Sequence, residues 1–146
     1  MTWIGPDEIG NGGTLLAFDT GPGNALLDDW MQEKTGDPMD RDGAVSAQGT
    51  VDQSVLKRLM THDYFEMLPP KSLDRNAFDL APVQGLSTDA GAATLAAFTV
   101  ASVARAAQFF PQPAKRWLVT GGGSRTGDGA VIRWKPRPSP SWPCAR

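Results

Sequence analysis

Two glycine-rich turns carry the residue types from which a phosphate site is built. The first, Asp19-Thr20-Gly21-Pro22-Gly23-Asn24, stands between the apolar run LLAF and the helical pattern ALLDDWMQEK. Glycine lets the backbone come close to an anion, and the first N–H groups of the helix that follows face it with a favourable dipole. An aspartate just ahead of such a loop can hold a magnesium ion through water, which makes Asp19 the candidate metal residue. The same residue types also build an ordinary turn, in which Asp19 and Asn24 satisfy nearby backbone groups. The second turn, Gly121-Gly122-Gly123-Ser124-Arg125, follows the apolar run RWLVT. Ligands of open α/β sheets gather beyond the carboxyl ends of strands, so a nucleotide ring or a phosphate would find room there. The run is neither a dinucleotide fingerprint nor a P-loop, and a structural turn fits it equally.

Other ionisable residues are weighed against plainer roles. Lys71 and Arg75 flank a Pro-Pro segment and are candidates to grip a phosphate or a sugar acid, Arg75 through its bidentate fork. The alternative is a solvated loop charge. Asp28 and Asp29 are neighbours on a helical pattern, where they point about 100° apart and form no dyad, so at least one lies on a solvated face. His62 is expected to be a dipole partner at a helix C-terminus. Trp3, Trp30 and Trp117 lie in apolar runs and are expected in the core.

The elements that must position these residues follow from periodicity. TWI and LLAF are short apolar runs bounded by turn residues and read as a β-hairpin leading into the first glycine turn. Leu26, Leu27 and Trp30 share one face of a helix that Gly36 would close. From Val45 onward, Val51, Val55 and Leu59 step by four, with Leu56 and Met60 widening the stripe, which predicts an amphipathic helix running towards His62. Pro69 and Pro70 forbid a helix and hold the chain extended into Lys71. Ser87, Thr88 and Asp89 are candidate caps for a helix reaching towards Phe110, with Ala96, Val100, Val103 and Ala107 at helical spacing. RWLVT reads as a buried-type strand. Strand, turn, helices, strand and glycine loop describe a piece of an α/β protein.

Composition bounds the chemistry. The 146 residues carry 14 basic and 16 acidic side chains, for a net charge of -2. That leaves no dominant nucleic-acid footprint. One cysteine, Cys144, and one histidine, His62, exclude an internal disulfide and a multi-histidine metal site. No apolar run approaches the roughly 18 residues of a membrane span, and the N-terminus lacks the pattern of a signal peptide. A cytoplasmic chain without membrane or nucleic-acid partners is expected. The charge is uneven: residues 1–125 hold 10 basic and 15 acidic groups, whereas residues 126–146 hold four basic groups, one aspartate, four prolines, two tryptophans and the cysteine. The expected organisation is a lobe over 1–125 and a Pro/Arg-rich, disordered tail over 126–146.

Taken in order, FDTGPGNALLDDW, DRDGAVSAQGTVDQSVLKRLMTHDYF, PPKSLDRNAF, DAGAATLAAFTVASVARA and WLVTGGGSR resemble the C-terminal half of the anhydro-N-acetylmuramic acid kinases. The resemblance runs from about Thr2 to Arg125. It implies a partial RNase H-like lobe of the actin, sugar-kinase and Hsp70 superfamily, an α/β fold with ATP in a cleft. It further implies an ATP- and magnesium-dependent enzyme of cell-wall recycling that opens 1,6-anhydro-N-acetylmuramate and phosphorylates O6. By this resemblance Asp19, Thr20, Gly21, Gly23 and Asn24 belong to a phosphate loop, with magnesium at Asp19. Gly121, Gly122, Gly123 and Ser124 match the loop that receives the adenosine end of ATP. Lys71 and Arg75 match the family's PPKS-and-arginine segment and are candidate substrate residues.

The departures from that pattern are equally specific. The family's first phosphate loop and its upstream catalytic aspartate have no counterpart here, so no catalytic residue is assigned. After GGGSR the family continues with a helix carrying a substrate-binding glutamate, where this chain has TGDGAVIRWKPRPSPSWPCAR. A shifted reading frame would produce such a change. The chain is therefore expected to be an incomplete part of the kinase, working as a homodimer or with a missing N-terminal half. The alternative is an inactive fragment or a stand-alone nucleotide-binding or oligomerisation module.

Overall fold

The computed structural model describes residues 1–6 and 13–119. The chain divides into two compact units, Met1–Ala114 and Lys115–Arg146. In the first unit, β1 (Thr2–Ile4) and β2 (Leu15–Ala17) form the expected antiparallel hairpin, with Trp3 opposite Leu16 and Ile4 opposite Leu15. Strand alternation turns Trp3 inward, where its Nε1 donates to the Gln112 carbonyl at 3.1 Å, and leaves Ile4 exposed.

Among the described residues of this unit the α-helices are α1 (Ala25–Thr35), α2 (Gln53–Leu59) and α3 (Thr88–Ala106). α1 buries Leu26, Leu27, Trp30 and Met31, and Gly36 ends it in the left-handed conformation at φ +81°. This is the glycine stop that the spacing predicts. Ser87 caps α3 by accepting from the Ala90 N–H. The core joins Trp30, Phe65, Phe78, Leu95 and Phe98, with Phe65 set edge-on to Phe98 at 5.9 Å.

Four expectations are corrected. α2 does not extend back to Val45: two short 3-10 turns, Arg41–Gly43 and Ser46–Gln48, come first. The break has a packing cause, because a Cβ on Gly49 would stand 2.0 Å from the Asp89 carbonyl oxygen. The chain must cross α3 there before Asp52 can cap α2 through the Ser54 and Val55 N–H groups. Second, α3 buries Ala92, Leu95, Phe98, Ser102 and Ala106 rather than the Ala96–Val100–Val103–Ala107 stripe, and Val100 is 59% exposed. Third, residues 116–119 form no strand, and Leu118 and Val119 are exposed. A strand needs a neighbouring backbone, and among the described residues β1 and β2 pair with each other alone. Fourth, the helical segment Thr88–Phe109 is long and apolar enough to cross a membrane by length and composition. Its inner face is taken up by the core, and Arg105 near its end donates to the Met60 carbonyl and pairs with Glu66. Here it is a core helix.

Candidate functional site

The loop Asp19–Asn24 joins β2 to α1 and is fastened by residues far away in sequence. The Asp19 N–H donates to the Lys71 carbonyl at 3.2 Å, and the Leu73 N–H donates to Asp19 Oδ2 at 3.0 Å. Residues 71–73 thus run beside the loop entrance as a strap, after a cis Pro69–Pro70 peptide. The Tyr64 hydroxyl donates to the Asp19 carbonyl at 2.7 Å. From the other side, the Thr99 hydroxyl donates to the Gly23 carbonyl at 2.6 Å.

Both glycines are required by geometry. A Cβ on Gly21 would lie 2.7 Å from Ser102 Oγ, and Gly23 has φ +62° with open space around it. The loop therefore lies against α3 at Gly21 and faces outward at Gly23 and Asn24, both exposed. Asn24 occupies the N-cap of α1, yet its side chain makes no capping bond. Of the ordinary-turn reading, Asp19 does satisfy a backbone group, the Leu73 N–H from outside the loop, whereas the Asn24 side chain makes no cap bond.

Asp28, in the first turn of α1, is half-buried. Burial and the neighbouring Asp29 raise its pKa, while Arg75 opposes them. Asp29 is the solvated member of the pair and holds Arg75 through a 2.8 Å ion pair. His62 sits beyond the end of α2 and is not the dipole partner expected: its Nδ1 accepts from the Tyr64 N–H, capping the Asp63–Glu66 turn, and its ring lies against Phe78 at 4.4 Å.

Lys71 departs from the solvated-charge alternative. It is only 9% exposed, and its ammonium donates to the Tyr64 carbonyl at 3.0 Å. The ammonium also faces the rings of Tyr64 at 4.5 Å and Phe109 at 4.7 Å, a cation–π arrangement. Lys71 and Arg75 thus have separate partners. Burial lowers the Lys71 pKa, the nearby Arg105 charge adds to this, and Glu66 opposes it. Between that lowered value and the ordinary lysine value, the unfolded chain carries a proton that the folded chain has lost, so stability rises with pH across that window. Tyr64 acts in the opposite sense at higher pH, because burial and Asp19 raise its pKa. Lys71→Met is expected to keep stability within about 1.5 kcal/mol, as an apolar side chain of similar length fills the aromatic slot. The Tyr64 carbonyl retains the Met67 N–H at 3.3 Å. Urea unfolding at a series of pH values should show the rise in the parent protein and its loss in the variant.

Among the described residues no group of three His, Cys, Asp or Glu side chains could hold a metal. Asp19 fits a single water-mediated contact, being exposed with Oδ2 engaged by Leu73. A hollow of about 270 Å³ lies by Met31, Pro38 and Val45, at the opposite end of α1 from the loop, and no loop residue lines it. Gly121, Gly122, Gly123 and Ser124 lie outside the described residues.

The sequence matches the family described as anhydro-N-acetylmuramic acid kinase over residues 8–128. Among curated relatives bearing that name, one from Rhodospirillum rubrum is 57% identical over 127 residues, covering 87% of this chain and 33% of the relative. One from Paramagnetospirillum magneticum is 54% identical, covering 86% of this chain and 35% of the relative. A third, from Methylobacterium nodulans, is 56% identical over 80% of this chain and 31% of the relative. The chain spans about a third of the length of the curated relatives it matches.

Proposed function

The chain belongs to the anhydro-N-acetylmuramic acid kinase family, and from that premise we propose that it is the phosphate-holding part of an ATP-dependent sugar kinase of cell-wall recycling. In the whole protein, water adds across the 1,6-anhydro bridge of anhydro-N-acetylmuramate and O6 takes the phosphoryl group, giving N-acetylmuramate 6-phosphate. The observation that carries the reading is the Asp19–Asn24 loop, held from outside itself and open where Gly23 and Asn24 face solvent.

Bound ATP supplies the phosphoryl group, and magnesium offsets the charge on its phosphates. Within this chain, Thr20, Gly21, Gly23 and Asn24 would receive phosphate oxygens on backbone N–H groups just ahead of α1. Asp19 would hold magnesium through a water of its shell. By the resemblance alone, Gly121, Gly122, Gly123 and Ser124 would receive the adenosine end. We assign the sugar acid to Arg75, exposed and paired with Asp29. The buried ammonium of Lys71 favours support of the loop over direct grip. Residues 1–125 would form part of an RNase H-like lobe of the actin, sugar-kinase and Hsp70 superfamily, with 126–146 an added tail. The mixed helices and hairpin, and a family match that ends at residue 128, support this. A cytoplasmic location suits a soluble nucleotide-dependent enzyme.

The test uses the 146-residue chain. Titration with magnesium–ATP, followed by backbone amide shifts, is expected to move the signals of residues 19–24. Turnover of anhydro-N-acetylmuramate by the same chain is expected to be absent, since the water-activating aspartate and the first phosphate loop have no counterpart in these residues and their loss costs several orders of magnitude. Unmoved signals at residues 19–24 under saturating nucleotide would defeat the phosphate assignment.

A further inference from the structure

Two of the loop's carbonyls, those of Asp19 and Gly23, are committed inward, and each is held by a hydroxyl from a different element. The Asp19 carbonyl accepts from Tyr64, in the Asp63–Glu66 turn, and the Gly23 carbonyl accepts from Thr99 on α3. The one cis peptide among the described residues is Pro69–Pro70, so both loop peptides are trans. In a planar trans peptide, C=O and the next residue's N–H point in opposite directions. Fixing the Asp19 carbonyl towards Tyr64 therefore turns the Thr20 N–H away from the core. Fixing the Gly23 carbonyl towards Thr99 turns the Asn24 N–H away from α3, to the exposed side of the loop.

We propose that Tyr64 and Thr99 are positioning residues of the phosphate loop, their hydroxyls setting the outward direction of the Thr20 and Asn24 N–H groups. The inference rests on the phosphate reading of this loop. Thr99 has one hydroxyl proton and two carbonyls in reach, Gly23 at 2.6 Å and Leu95 at 3.2 Å. The second is the usual back-bond of a helical threonine, and the shorter contact goes to the loop. Tyr64 is buried, so its ring is fixed by packing against Phe65 and Phe78, with its hydroxyl 2.7 Å from the Asp19 carbonyl. Neither hydroxyl needs to touch a ligand. Their work is to remove alternative peptide orientations before the anion arrives, so that binding does not have to order the loop.

The experiment titrates the 146-residue chain with magnesium–tripolyphosphate and follows the amide signals of Thr20 and Asn24. Thr99→Val keeps the shape and removes the donor. It is expected to weaken binding about fivefold, the net worth of one hydrogen bond, with the largest change in response at Asn24. Thr99→Ser is expected to restore parent affinity, which a purely structural role would not require. Tyr64→Phe keeps the ring packing and should weaken binding similarly, with its change centred on Thr20. A parent chain whose loop amides do not respond overturns the phosphate reading and this inference together. A parent that binds, with Thr99→Val and Tyr64→Phe binding equally well, overturns the positioning role alone.

Discussion

Gly91→Ala is expected to cost about 2 kcal/mol of stability or more, although alanine is the better helix former by about 1 kcal/mol. A Cβ at Gly91 would stand 2.3 Å from Trp30 Cζ2 and 2.4 Å from Cε2. Trp30 has nowhere to go: it is fully buried, and its Nε1 donates to the Thr88 carbonyl at 2.9 Å. Either the indole leaves that carbonyl or α1 and α3 move apart, and the loop at the start of α1 moves with them. Urea unfolding should show a lower midpoint with an unchanged slope. The double variant Gly91→Ala/Trp30→Leu gives the decisive comparison. Leucine vacates the space that the new methyl needs, so the two losses should sum to clearly more than the loss in the double variant. Strict additivity would mean that the contact between Gly91 and Trp30 is not what limits this position.

That pairing also shows what one sequence can and cannot reveal. The apolar face of α1 and its closing Gly36 are local patterns, as is the Ser87 cap of α3, and all three are present as expected. The inward face of α3 is different. Alanine makes up so much of the helix that apolar contrast around its circumference is weak, and Leu95 and Phe98 decide the orientation once they meet Phe65 and Phe78. Ser102 then lies inward for a reason of size, since it is where Gly21 presses on the helix. The early break in α2 likewise comes from Gly49 crossing Asp89, a contact between residues forty positions apart.

The site divides in the same way. The turn Asp19–Asn24 between β2 and α1 was legible because glycine spacing ahead of a helix has a local physical meaning. Tyr64, Leu73, Thr99 and Ser102 were not: each acts through a contact 45 to 81 positions away, and a tyrosine or threonine in an apolar segment carries no mark of the carbonyl it will meet. Lys71 stands out by type, but its buried setting does not, because Phe18 and Phe109, which join nearby Tyr64 around its ammonium, are distant in sequence. What a short range of sequence could have offered is the proline pair ahead of Lys71, which limits the paths the strap can take.

Asp19 allows the structural and the functional role of one side chain to be separated. Its Oδ2 accepts from the Leu73 N–H, and an asparagine can keep that bond through its amide oxygen. Asp19→Asn is therefore expected to retain stability within about 0.5 kcal/mol, whereas Asp19→Ala should lose about 1 kcal/mol with the strap contact. Binding should sort the variants differently. If the carboxylate orients a water of the magnesium shell, both substitutions lower the affinity for magnesium–ATP by about tenfold or more. With magnesium removed by chelation the sign should reverse: a carboxylate beside bare phosphates repels them, so Asp19→Asn should bind free ATP at least as well as the parent. Calorimetric titration with and without magnesium reads both quantities. A variant that loses affinity equally in the two conditions would assign Asp19 to loop geometry alone, and one that loses none would remove it from the site.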